Sequence, residues 1–299
     1  MESDDYVTCE HCDAIRFRSE RQGICCANGS VELTPYIWPD EMIKLLDDPS
    51  FGRQLRAYNA AFSISSVVGA NRDNSVNNGL SQTYRVSGQT YQAVGSLHPG
   101  QDKYGQQRDR QFGQMYLFDP DMQDGQRAKL FQKLNPEKLS AIRRILEKKN
   151  PYVQLFKNVR SKLMQNQELR LAFNTIKKAR YDQYEPPKMK EVGAVLDEGT
   201  AHLPLQVIME RKMDGKLSFI KDHHSSFDAI RYPLLHTRGE QGWHNDIPAK
   251  NRRRSRVSMR EYYAYHVFDR ELNKGRNPLH LCGPLSQMYW VDQVATSRY

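Results

Sequence analysis

Apolar positions along the chain recur at two spacings, and the change from one to the other marks out its elements. After Pro39, Met42, Leu45 and Leu46, then Phe51, Leu55 and Tyr58, stand three or four apart, which predicts two short helices separated near Pro49. Alternation over Ala61 to Val67 predicts a strand, as does the run Ser30 to Leu33. Thr83 to Val86 and Tyr91 to Val94 flank Ser-Gly-Gln-Thr and read as a hairpin, with Gln114 to Phe118 as a further strand. Asn135 before Pro136 and Asn150 before Pro151 each place a capping side chain ahead of a proline at the first helical position. The helices they open carry Leu139, Ile142 and Leu146 on one face and Tyr152, Phe156, Val159 and Leu163 on the other. Val192 to Leu196, Leu205 to Met209 and Leu217 to Ile220 suggest a small antiparallel sheet. Ser258-Met-Arg-Glu261 is a capping box that should start a helix through about Glu271, and Gln287 to Val294 is a last amphipathic stretch.

Turn-forming residues fill 69–82, polar residues fill 100–111, and 177–190 reads as a charged linker. The expectation is an α+β chain in four consecutive parts. These are a cysteine module at 1–38, an α+β central region at 39–185, a small β region at 186–249, and a basic strip opening a helical region at 250–299.

Composition narrows the class. A chain of 299 residues with 38% hydrophobic residues can bury a core, and no run approaches the roughly 18 apolar residues of a membrane span. The acidic start, Met1 to Asp5, lacks the layout of a secretory signal, so an intracellular location is expected, and the location expected within the cell is the nucleus. Lysine and arginine exceed aspartate and glutamate to give a net charge of +9, which suits a polyanionic partner, nucleic acid first.

Four of the five cysteines lie within the first 26 residues. Cys9-Glu-His-Cys12 followed by Cys25-Cys26 places four thiols where two chain segments can meet around one tetrahedral ion, for which zinc is the expected choice. Adjacent cysteines point in different directions, so Cys25 and Cys26 need an irregular backbone to share a metal, and His11 is an alternative ligand. Buried or redox-labile thiols are the other reading.

Lys250-Asn-Arg-Arg-Arg-Ser-Arg256 puts five cations, Lys250, Arg252, Arg253, Arg254 and Arg256, just before a helix, a candidate strip for DNA phosphates. A solvated charge run or a nuclear import signal would look the same. Tyr262, Tyr263 and Tyr265 are candidates for stacking on unpaired bases, or for a helix core.

Catalytic motifs are not found. Gly215-Lys216 is followed by Leu217 rather than by the serine or threonine of a phosphate-cradling loop, and His223 and His224 are adjacent rather than alternating. Without a His-x-His pair the tyrosines of Glu-Tyr-Tyr-Ala-Tyr have no metal-polarised phosphate to attack. No residue is assigned a catalytic role.

An ordered series of segments resembles the N-terminal half of Helitron-type rolling-circle transposases, also described as Helitron helicase-like proteins. The series comprises Cys9-Glu-His-Cys12 with Glu20 and Cys25-Cys26-Ala-Asn-Gly29, Leu55-Arg-Ala-Tyr-Asn59-Ala-Ala-Phe62-Ser and Gly88-Gln-Thr-Tyr91-Gln-Ala-Val-Gly95-Ser-Leu97. It continues with Phe112-Gly-Gln-Met-Tyr-Leu-Phe-Asp119, Asn150-Pro-Tyr-Val153, Tyr232-Pro-Leu-Leu235, Gly239-Glu-Gln-Gly-Trp243 and Ser258-Met-Arg-Glu-Tyr-Tyr-Ala-Tyr265. The resemblance implies a region that precedes a nuclease of the His-hydrophobic-His class and a helicase, here cut off before either. One departure is His236-Thr-Arg238, where Phe-Pro is more usual. The functional expectation is a non-catalytic DNA-binding module for single strands or transposon ends; the alternative is an inert or protein-interaction remnant.

Overall fold

The computed structural model describes residues 5–68, 71–72, 86–87, 91–94, 103–106, 109, 112–117, 119–157, 169–175, 205–211, 218–220, 225–250 and 256–297. It shows an α+β protein whose strands, among these residues, pair antiparallel. The chain divides into two units built from discontinuous segments: 1–56 with 70–89 and 242–299, and 57–69 with 90–241. This division is not the serial one expected at 1–38, 39–185, 186–249 and 250–299, because the first and last segments of the chain pack into the same unit.

In the first unit, Tyr6–Thr8 and Ile15–Phe17 form a hairpin in the register Tyr6↔Phe17, Val7↔Arg16, Thr8↔Ile15. Glu20 closes its far end by accepting from the Phe17 amide at 2.9 Å. Ile15 donates its amide to the carbonyl of Asp269, and Ala14 forms a bridge with Arg270, so the C-terminal segment lies along the hairpin. Residues 31–39 contain no strand; there Trp38 donates to the carbonyl of Arg276 and Tyr36 stacks on His266 at 4.0 Å between ring centroids. The Tyr36 and Tyr262 hydroxyls are 2.6 Å apart.

The helix Met259–Val267 opens on the expected capping box, in which Ser258 and Glu261 satisfy each other's amides. It ends at Val267, short of Glu271, because Phe268 turns extended. Tyr262, Tyr263 and Tyr265 are buried, which places them in the core and not on a stacking surface. The helix Gly283–Ser297 contains the expected stretch 287–294 and buries Leu285 and Tyr289. Asn71–Arg72 pairs with Val86–Ser87, so the stretch 69–82 read as loop contains a strand where it is described.

The helix Pro49–Phe62 contributes its first residues to this unit and its last to the second. Asp40–Ile43 and a 3-10 turn at Lys44–Asp47 precede it. Its C-terminal turn continues to Phe62, so the strand expected from Ala61 begins only at Ser66.

The second unit centres on the helices Pro120–Leu130, Pro136–Lys149 and 151–157. Asn135 caps one by accepting from the amides of Glu137 and Lys138, and Asn150 caps another by accepting from Tyr152 and Val153. Leu139, Ile142, Leu146, Tyr152 and Phe156 are buried as their spacing predicts; Val159 and Leu163 lie outside the described residues. Asn59, 3% exposed, donates to the carbonyl of Arg231 and accepts from the amide of Leu234, tying the helix end to the segment around Tyr232. Arg127 is wholly buried, donating to the carbonyl of Ala61 and to Gln123 while its guanidinium lies over Phe62 and Tyr116.

Three strand expectations are corrected here. Residues 112–117 form a 3-10 helix and not a strand, with Phe112 at a φ of 53°. Val86–Ser87 and Tyr91–Val94 are not a hairpin: Tyr91–Val94 pairs with Ser66–Val68 and Ser218–Ile220. Leu205–Arg211 pairs with Leu169–Thr175, in a separate sheet from Ser218–Ile220. Val192 to Leu196 and the linker 177–190 lie outside the described residues. Among the described residues, no helix is long and apolar enough to cross a membrane.

Candidate metal centre

The turn of the first hairpin is where the sulfur chemistry gathers. Cys9 donates its amide to Ala14, and Asp13 donates back to Cys9, so Cys9 to Cys12 curls into a tight knuckle. Asp13 closes it with a φ of 55°, a left-handed conformation that aspartate tolerates better than most residues. The second knuckle follows the same principle with more turns. Gly23, Ala27, Asn28 and Gly29 all have positive φ, Ala27 donates to Gly23, and Val31 donates to Cys26. This irregular backbone lets the adjacent Cys25 and Cys26 aim their sulfurs at one point. Gly29, at a φ of 78°, takes up the left-handed backbone that glycine adopts without the strain a side chain would bring.

The four Sγ atoms of Cys9, Cys12, Cys25 and Cys26 lie within 4.8 Å of one another. Cys9 and Cys26 are 3.8 Å apart, Cys12 and Cys25 3.7 Å, and Cys25 and Cys26 4.0 Å. These spacings are far from the roughly 2.05 Å of a disulfide, and all four are free thiols. They do match the edge of a tetrahedron whose centre lies about 2.3 Å from each sulfur, which is about 3.8 Å. Cys9, Cys25 and Cys26 are buried and Cys12 is half-buried, so a bound ion would be closed off from solvent, as in a structural site. His11 is exposed and stands outside the cluster. The arrangement can therefore hold a metal ion with four sulfurs.

Proton affinities within the cluster differ with local donors. Burial and the neighbouring sulfurs push the Cys25 thiol up, and burial pushes Cys26 up to about 11 although the Gly29 amide, 3.2 Å from its sulfur, works the other way. At Cys9 burial also raises the value, but the backbone amide of His11, the Cys25 thiol and the amide of Cys12 together outweigh it and the thiol lies below its ordinary range. A divalent cation held there would displace these protons, since the thiolate is the ligand.

Sequence reasoning did not find Arg270, which is 4% exposed and lies beside the cluster. Its Nη2 is 3.6 Å from Cys12 Sγ and 3.4 Å from the Cys25 carbonyl, and its Nε donates to the Cys12 carbonyl at 3.1 Å. No local signal could have found it, because it stands 258 residues from Cys12.

Of the basic strip, Lys250 and Arg256 are described, and Arg252, Arg253 and Arg254 lie outside the described residues. Pro248 and Arg256 form an antiparallel bridge, and Val257 donates to the carbonyl of Ile247. Lys250 donates its amide to Ser30, four residues after Cys26, and its ammonium is ion-paired with Glu32. Trp243 donates its indole N–H to the carbonyl of Val257 at 3.0 Å, bracing the same base. No family model matches the chain, and no curated protein matches it.

Proposed function

We propose that this chain is a non-catalytic DNA-binding module akin to the N-terminal part of Helitron-type transposases, held together by a structural zinc ion at Cys9, Cys12, Cys25 and Cys26. Zinc suits an all-thiolate tetrahedral set because it has no d-electron geometric preference and takes soft ligands readily. The observation that carries the DNA reading is the anchoring of the basic segment. Lys250 is tied to Ser30 and Glu32 directly downstream of the cysteine cluster, and the bridge at Pro248 and Arg256 closes the segment that carries Arg252, Arg253 and Arg254. Arg256, exposed at that bridge, suits a backbone phosphate, and nuclear residence belongs to the same reading.

The ordered series of segments that resembles the family is the other support for this reading. The test is a salt titration of DNA binding by the purified chain beside a variant with Arg252, Arg253, Arg254 and Arg256 changed to Ala. The wild type is expected to bind with a steep salt dependence, and the variant to lose roughly 3 to 4 from the slope of log K against log salt on duplex DNA, about 0.9 per phosphate contact. Equal slopes would place DNA contact away from this strip, and no binding by either would make the chain a protein-interaction or inert remnant.

A further inference from the structure

All five N–H donors of Arg270 are engaged, and the identity of their acceptors carries a consequence. Nε reaches the Cys12 carbonyl, Nη1 the carbonyls of Tyr265 at 2.7 Å and Phe268 at 3.0 Å, and Nη2 the Cys25 carbonyl and the Cys12 sulfur. The flat guanidinium lies 3.6 Å from the centroid of the Tyr265 ring. Every oxygen among these acceptors is a neutral carbonyl; among the described residues, no carboxylate pairs with this buried cation. A buried charge without an opposite charge is strongly unfavourable, whereas four thiolates around a divalent ion carry a net charge of −2. Among the acceptors of Arg270, the group that becomes anionic on metal binding is then the sulfur cluster, through Cys12 Sγ.

We infer that Arg270 is the counter-charge and positioning residue of the metal centre, fixing the Cys12 thiolate and fastening the C-terminal segment to the metal-bound knuckles. This inference rests on the metal part of the function proposed above and is independent of DNA binding. Arg270 belongs to the segment that pairs with the hairpin through the Ala14 bridge and the Ile15 to Asp269 hydrogen bond. Its own amide is held by Asn273, which in turn donates its amide to the carbonyl of Arg270. A metal that makes the thiolates anionic therefore tightens Arg270, and by reciprocity Arg270 tightens the metal.

The experiment compares the full chain with Arg270→Met and Arg270→Lys, each loaded with cobalt(II) as a spectroscopic substitute and titrated with a competing chelator. The wild type is expected to bind one cobalt with the sulfur-to-metal charge-transfer absorption of four thiolates. Arg270→Met is expected to bind about 10- to 100-fold more weakly, with that absorption moved to longer wavelength because the Cys12 sulfur has lost a donor and a nearby cation. Arg270→Lys keeps the charge and is expected to recover most of the affinity; should Arg270→Met fail to fold, this variant still decides the matter through its absorption, expected close to that of the wild type. A wild-type chain that binds no cobalt would overturn the metal reading and this inference together. A wild type that binds while Arg270→Met matches its affinity and spectrum would overturn the inference alone, as would an Arg270→Lys spectrum shifted as far as that expected for methionine.

Discussion

His236 is fully buried in the second unit, and burial lowers its pKa from 6.5 to about 3. The imidazole is neutral in the native protein, while the unfolded chain takes up a proton as pH falls through about 6.5. Between about pH 6.5 and 3 the unfolded state binds more protons, so stability is fully present above that window and is lost as pH falls through it. Changing His236 to Phe, which has no titrating ring, should flatten this loss. Urea midpoints of the two proteins measured from pH 7.5 to 5 check it; parallel curves would contradict the assignment. Gly239, three residues on, has a φ of 66°, and a Cβ there would stand 2.9 Å from the ring of Pro151. Gly239→Ala is expected to cost about 1–3 kcal/mol, read as a lower urea midpoint at unchanged slope.

Elements whose signals are local could be read from sequence, and those that depend on distant partners could not. The caps at Asn135, Asn150 and Ser258 were legible because a capping side chain, its proline or its glutamate, and the amides it serves all lie within four residues. Asn135→Ala should accordingly cost about 1 kcal/mol, and thermal unfolding with an unchanged native circular dichroism spectrum would register it. Strand partners were illegible. An alternating pattern says which residues share a face but not which strand lies alongside, and Tyr91–Val94 finds one of its partners at Ser218–Ile220, more than a hundred residues away. Residues 112–117 failed for another reason: six residues of mixed polarity fit either period, and the left-handed Phe112 that turns them into a 3-10 helix leaves no mark in composition.

At the scale of the whole molecule the chain folds by bringing its ends into one unit, which a serial reading of segments could not anticipate. The cysteine cluster was legible as far as its members, since the two-residue gap between Cys9 and Cys12 is a ligand spacing. How Cys25 and Cys26 share the site was not, because it depends on the positive φ of Ala27, Asn28 and Gly29. Nor was Arg270, the residue through which the C-terminal segment reaches the sulfurs. If the four thiolates hold zinc, the metal contributes folding energy outright, and chelation should loosen the first unit. The most direct test is native mass spectrometry of the purified chain beside a variant with Cys9 and Cys26 changed to Ser. One zinc ion per wild-type chain and none in the variant is the expected result. A folded, metal-free wild type whose four thiols react freely would contradict it.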